Sequence, residues 1–130
     1  MKTIIGPVLA LVVSLALLVA YVRAHEPKAD HWTATAYCKG THVAAGIPVK
    51  RGMAASDPKH LPLGSVVRVS ESGDPKWDGI YWIVDTGPEI QGREIDLYSW
   101  SCYEALDFGR RKVSVEIIRE GWMPNRLVSR

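Results

Sequence analysis

From Thr3 to Val22 the chain is apolar at nearly every position, broken only by Gly6, Pro7 and Ser14, and after Arg23 it turns polar at His25-Glu26-Pro27-Lys28. As a helix rising about 1.5 Å per residue, this run reaches roughly 30 Å, the depth of a bilayer's hydrocarbon core. It is long for the apolar core of a cleaved export signal, usually about 7–15 residues, yet Val22-Arg23-Ala24 offers small residues where a signal peptidase cuts. A cleaved signal ending at Ala24 and an uncleaved anchor both fit. A buried core helix fits poorly, because the run is apolar on every face. Either way the remainder is expected to be exported.

Beyond His31 the pattern changes to short alternating stretches separated by turn residues. Trp32–Tyr37 alternates larger and smaller side chains, and Met53–Ser56, Ser65–Ser70, Ile80–Val84, Arg93–Tyr98 and Lys112–Arg119 complete six predicted strands. Gly40 and Gly46 mark a long loop, Leu61-Pro-Leu-Gly64 a turn, and Glu71–Gly79 a hairpin connection. Ser101-Cys-Tyr-Glu104 has the form of a helix capping box, and Gly109 stops that helix about two turns later. Six short strands and one short helix predict an all-β fold closed into a small barrel, since closure removes exposed edges. The expected organisation is a leader over residues 1–24, a barrel over 31–119 and a patternless tail over 120–130.

Charge narrows the picture. Without residues 1–24 the chain carries 14 basic and 14 acidic residues, so its slightly basic character comes from the leader. A nucleic-acid footprint would need a basic surplus on one face. The only basic cluster, Arg110-Arg111-Lys112, reads as a solvated turn after the helix. About 106 residues suffice for one core and not for two. Cys38 and Cys102, an even pair in an exported segment, are best read as one disulfide. They lack metal-ligand spacing, and a catalytic Cys38 with His42 is a weaker reading. The four histidines, His25, His31, His42 and His60, show no ligand spacing either. Neither a metal nor an organic cofactor is expected.

Three aspartates stand at strand ends. Asp57 follows Met53–Ser56 and precedes Pro58, Asp85 precedes Thr86-Gly87, and Asp96 interrupts Glu94-Ile-Asp-Leu-Tyr98. On that last strand Ile95 and Leu97 share one face while Asp96 and Tyr98 share the other, so an inward apolar pair places Asp96 and Tyr98 outside, in a wall or groove. Carboxylates gathered in one groove repel, which favours retention of a proton on one of them and hence general acid chemistry. Strand-end aspartates also make turns by bonding backbone two residues on. Asp96 fits that role least, because its strand continues past it. Spacing alone leaves the choice open.

Seven segments in order resemble one family: Thr35-Ala-Tyr-Cys38, Gly52-Met-Ala-Ala-Ser-Asp57-Pro58-Lys59, Leu61-Pro-Leu-Gly64-Ser, Val84-Asp85-Thr-Gly87, Ile90-x-Gly92, Ile95-Asp96-Leu-Tyr98, and Ala105-Leu-x-Phe-Gly109-Arg110-Arg-x-Val113. Together they are similar to the 3D domain, named for three aspartates, and to the catalytic barrel of A-type membrane-bound lytic transglycosylases. The resemblance runs from about Thr33 to Ile117. It implies a six-stranded double-psi β-barrel and cleavage of peptidoglycan glycan strands between N-acetylmuramic acid and N-acetylglucosamine, leaving anhydro-muramyl ends. It also implies that Asp96 acts as acid and then base, with Asp85 and Asp57 shaping the groove and tuning Asp96; Tyr98, Thr86, Gly87 and, by its place just beyond Asp96, Trp100 are the expected glycan contacts.

Two departures change the expectation. Many relatives read Asp-Thr-Gly-Gly, whereas this chain has Pro88, which removes a backbone N–H and stiffens the loop. Glu89 adds an acid nearby. Larger members also carry a second domain that walls the groove, so a dimer or an envelope partner is expected to supply that wall here. Two other readings remain: a non-catalytic polysaccharide-binding barrel, and a hydrolytic endoglycanase. Among the tryptophans, Trp82 is expected in the core by its strand position, and Trp77 and Trp100 stand where stacking on a sugar is open to them, but packing is the favoured reading for each of the five, Trp32 and Trp122 included.

Overall fold

A computed structural model describes residues 5–25 and 29–121. Trp122, the tail from 122 onward, Lys2 and residues 26–28 lie outside the described residues. The apolar run forms α1, Ile5–Ala24, with its side chains from Gly6 onward exposed, and the stretch Gly6–Ala24 is long and apolar enough to cross a membrane.

Strands β1 (Asp30–Tyr37), β2 (Met53–Ser56), β3 (Val66–Ser70), β4 (Gly79–Asp85), β5 (Glu94–Tyr98) and β6 (Arg111–Arg119) close into a barrel in the order β1-β5-β2-β4-β3-β6. The pairs β1–β5 and β2–β4 run parallel and the rest antiparallel. The connection from β1 to β2 skips β5, and the connection from β4 to β5 skips β2. These two crossing loops give the double-psi form, and both pass over the ends of the strands that carry the aspartates.

Period-two alternation fills the interior. Trp32, Ala34, Ala54, Val67, Val69, Tyr81, Ile83, Ile95, Leu97, Val113 and Val115 form the central core. Full burial of a side chain such as Ile83 or Leu97 contributes about 1.5–3 kcal/mol. Trp77 belongs to this core as well, 3% exposed and 4.5 Å from the ring of Phe108. Its loop position leaves stacking on a sugar open, and packing is the role it takes: the hairpin connection folds back over the barrel because Asp74 and Asp78 carboxylates accept its backbone N–H groups. Arg111 departs from the solvated turn expected of it. Its guanidinium lies over Phe108, donates to the Phe108 and Ser72 carbonyls, and so fastens the hairpin connection to the helix end.

A second apolar cluster lies outside the barrel. Met53, Val84 and Tyr98 pack there against Val43 and Val49 of the long β1–β2 loop, with Trp82 half-buried at the margin. Helix α2, Cys102–Phe108, begins as its capping pattern predicts: the Glu104 N–H donates to Ser101 Oγ. The reciprocal bond is relayed rather than direct, because Ser101 N–H donates to Ser99 Oγ and Ser99 in turn donates to the Glu104 carboxylate. Gly109 ends the helix at φ +63°, a conformation side chains disfavour. Cys38 and Cys102 are joined, tying the end of β1 to the start of α2.

Gly121 occupies the tightest backbone contact. A Cβ there would lie 2.1 Å from the Leu63 carbonyl oxygen and 2.7 Å from that of Pro62, both main chain, while its N–H donates to Ser65 Oγ. Gly121→Ala is therefore expected to destabilise by roughly 1–3 kcal/mol, the usual range for overpacking. A thermal melt indistinguishable from the parent protein would show that the Pro62–Ser65 turn yields freely.

Candidate functional site

A bulge aligns the two strand-end carboxylates. Met53 and Ala54 of β2 pair with Trp82 and Ile83 of β4, but Ala55 then pairs with Asp85, skipping Val84. On its other side Ala55 pairs with Asp96 of β5. Without the extra residue, Val84 would face Ala55 and Asp85 would fall one row further on. The bulge thus places Asp85 and Asp96 on either side of one small side chain, roughly 10 Å apart at the backbone by strand spacing.

The aspartates differ in how fully their oxygens are used. Asp85 accepts from the Ala44 and Thr86 N–H groups, 2.9 Å each, and from the Tyr37 hydroxyl at 3.2 Å. It clamps the β1–β2 loop onto the strand end. Asp57 accepts from Lys59 N–H at 3.0 Å, which is the turn its sequence allowed, and from Gly92 N–H at 2.8 Å, which fixes the second crossing loop. Those N–H groups, Gly92's first, hold the Asp57 carboxyl below its ordinary range. Asp96 has a single partner, the Thr35 hydroxyl at 2.9 Å.

Burial pushes the Asp96 carboxyl above its ordinary range. The Thr35 hydrogen bond opposes that shift, and the nearby charges of Glu94 and Asp85 reinforce it. The extra acid acting on Asp96 is thus Glu94, two residues away on the same face of β5, and not the exposed Glu89. Tyr37 is pushed well above the phenol range, by burial first and then by Asp85, so it stays a donor to that carboxylate. Asp96, Asp85, Thr35 and Tyr37 form one electrostatic neighbourhood. Asp57 shares no bond or resolved charge effect with Asp96; its charge neighbours are His60 and Lys59.

Of the expected glycan contacts, Thr86 and Gly87 line a cleft of about 430 Å³ together with Asp57, Lys59, Pro88 and Gln91. Pro88 fits there without loss: Gly87 to Ile90 is a turn closed by Ile90 N–H on the Gly87 carbonyl, and proline suits its second position. Trp100 is 65% exposed beside the strand end, edge-on to Tyr98 at 5.4 Å. Tyr98 is 4% exposed, packed beneath the loop holding Val43 and Val49, so its ring is covered by that loop and not offered as a glycan contact. Thr35 and Tyr37 carry the site's polar contacts without having been singled out; the parallel register that pairs them with Asp96 and Tyr98 was the missing signal. Among the described residues no three His, Cys, Asp or Glu gather as a metal-binding set. The disulfide leaves Cys38 no free thiol for the weaker nucleophile reading.

A closed six-stranded double-psi barrel with paired carboxylates at its crossing loops defines the structural class. The chain belongs to the 3D domain family, whose model matches residues 53–119, so that β1, which supplies Thr35 and Tyr37, lies ahead of the matched segment. Solved structures share the fold. An E. coli lytic transglycosylase, MltA, is 16% identical with a TM-score of 0.50, over 62% of this chain and 28% of that one. A Clavibacter michiganensis expansin, determined in complex with cellohexaose, is 17% identical with a TM-score of 0.54, over 75% and 54%. The Streptomyces papain inhibitor is 22% identical with a TM-score of 0.52, over 71% and 96%. The chain thus spans under a third of the transglycosylase and about half of the expansin. No curated protein matches it by sequence.

Proposed function

We propose that the protein is a peptidoglycan lytic transglycosylase, exported and either released or held at the cytoplasmic membrane by α1, with its barrel on the periplasmic or outer side. One observation carries this reading: Asp96 has the Thr35 hydroxyl as its one hydrogen-bond partner among the described residues and is shifted toward its protonated form, while Asp85 and Asp57 are engaged by backbone donors. Protonated Asp96 donates its proton to the glycosidic oxygen as the bond from muramic acid C1 to that oxygen breaks, and N-acetylglucosamine departs with a free hydroxyl. The Asp96 carboxylate then takes the proton of the muramic acid C6 hydroxyl, whose oxygen closes on C1 to give the anhydro ring. One group serves both steps, unlike the two opposed carboxylates of a hydrolase. Asp85 and Tyr37 hold the loop beside the reacting sugar, and Asp57 sets the position of the second crossing loop. No cofactor enters the scheme.

Polysaccharide binding without cleavage is the second reading, supported by the fold shared with an expansin determined in complex with cellohexaose. Mass spectrometry of fragments released from purified sacculi by the full chain separates the cases. Anhydro-muramyl ends support the transglycosylase, reducing ends a hydrolase, and sacculus binding without fragments a binding barrel.

The raised pKa of Asp96 fixes the sign of the pH dependence. Activity is expected to fall as pH rises through that pKa, because the acid is lost. Thr35→Val removes the one hydrogen bond that lowers it, so the falling limb moves to higher pH. A limb that stays in place would detach Thr35 from the acid.

A further inference from the structure

A second cleft on the barrel, of about 560 Å³, is not the one beside Asp85 and has no part in the mechanism above. His31, Thr33, Glu71, Arg93 and Lys112 supply its polar lining. Strand register places it with respect to the acid. On β1, Thr33 and Thr35 point to the same face; Thr35 pairs with Asp96 and Thr33 with Glu94, so the cleft opens about 7 Å along the strand from the Asp96 contact. Across β1, Thr33 pairs with Lys112 and His31 with Ser114 of β6, while Arg93 adjoins through its carbonyl, which accepts the Thr33 N–H. One strip of surface therefore leads from Asp96 to two cations.

Both signs of charge are present and differently committed. Lys112 is exposed and has no acidic partner among the described residues, and the Arg93 guanidinium meets Asp30 only at 3.6 Å with both side chains at least half exposed. Opposite them Glu71 is held in place: it accepts from the Ser114 hydroxyl, and it is the only non-glycine among the described residues with a positive φ, +62°. A glycine or asparagine would make that turn more easily, and strained residues of this kind gather at ligand sites. The arrangement sets ammonium and guanidinium donors across a cleft from an oriented carboxylate.

We infer that this cleft binds the peptide branch of the glycan, a substituent carrying both carboxylate and amine groups, with Arg93 and Lys112 on the carboxylates and Glu71 on the amine. The inference rests on the peptidoglycan reading of Asp96, and the spacing agrees with it: a branch on a sugar bound at Asp96 starts within one or two residues' reach of Thr33. Recognition there makes the protein selective for peptide-bearing over bare glycan strands.

The test titrates the ¹⁵N-labelled full chain, in detergent micelles, with the free tetrapeptide L-alanyl-D-glutamyl-diaminopimelyl-D-alanine, and measures cleavage of peptide-bearing and amidase-stripped glycan in parallel. Shifts are expected at Thr33, Glu71 and Lys112, with affinity weakened about tenfold in Lys112→Ala and in Glu71→Gln, the scale of one charge-assisted hydrogen bond. The same variants are expected to slow cleavage of peptide-bearing glycan and to leave stripped glycan unaffected. No shift at these residues, or equal affinity in both variants and the parent, overturns the assignment. Peptide bound in the cleft by a protein that cleaves neither glycan keeps the cleft and overturns the catalytic reading instead.

Discussion

Asp96→Asn is expected to release no anhydro-muramyl fragments from sacculi, a loss of about 10²–10⁴-fold for removal of a general acid, while the protein melts at the same or a higher temperature at neutral pH. Burial raises the Asp96 pKa, so the native state binds this proton more tightly than the unfolded chain does. Stability from this group therefore falls as pH rises from the ordinary carboxylate range through the raised pKa, and stays reduced above it. Asparagine is neutral throughout and keeps an oxygen for the Thr35 hydroxyl, so the variant escapes that loss. Its advantage disappears in acid, where Asp96 is protonated in both states. Asp57→Asn has the opposite sign: the Asp57 pKa is lowered by Gly92 and Lys59 N–H groups, so its stabilisation is present above the ordinary range and fades as pH drops through the lowered value. Melting curves of both variants from acid to neutral pH, beside fragment analysis, check the assignment. Turnover retained in Asp96→Asn would move the acid elsewhere, and a stability loss at neutral pH would contradict its strained charge.

The contrast also explains what could be read from sequence. Strand alternation located Ile95 and Leu97 inside and Asp96 outside because period two leaves no other choice once a face is buried. Turn chemistry described Asp57 correctly as a local acceptor. Neither rule reaches the bulge at Val84, because an extra residue in a strand leaves no trace in a pattern that is apolar on both sides of it. Nor does either reach Thr35 and Tyr37, whose roles arise from a parallel pairing between segments about sixty residues apart. For Trp77 the sequence leaves sugar stacking open beside packing for a related reason: a turn-rich connection looks solvent-facing until the Arg111 side chain fastens it to the helix end over Phe108.

Loss of the Cys38–Cys102 bridge is expected to lower the melting temperature by on the order of 20 °C, from about 4 kcal/mol of lost loop-closure stabilisation across a separation of 64 residues. The locus of the damage follows from α2. Seven residues cannot hold a helix in water, and this one buries only Ala105 and Phe108. The bridge fixes its first residue while Phe108, against Trp77, fixes its last. Freed at Cys102, the first turn loses the Ser99–Ser101–Glu104 relay that directly follows Tyr98 and Trp100 at the end of β5. Reduction therefore reaches β5, the strand that carries Asp96, because the Ser99 N–H just past it bonds back to the Tyr37 carbonyl one residue before Cys38. Cleavage by the reduced protein, or by the Cys38→Ser and Cys102→Ser double variant, should fail at temperatures where the oxidised protein still works. Calorimetric scans with and without reductant, paired with fragment release at each temperature, measure both effects. A melting temperature unmoved by reduction would mean that the barrel core alone holds β5 in register, and that Trp100 needs no support from the helix.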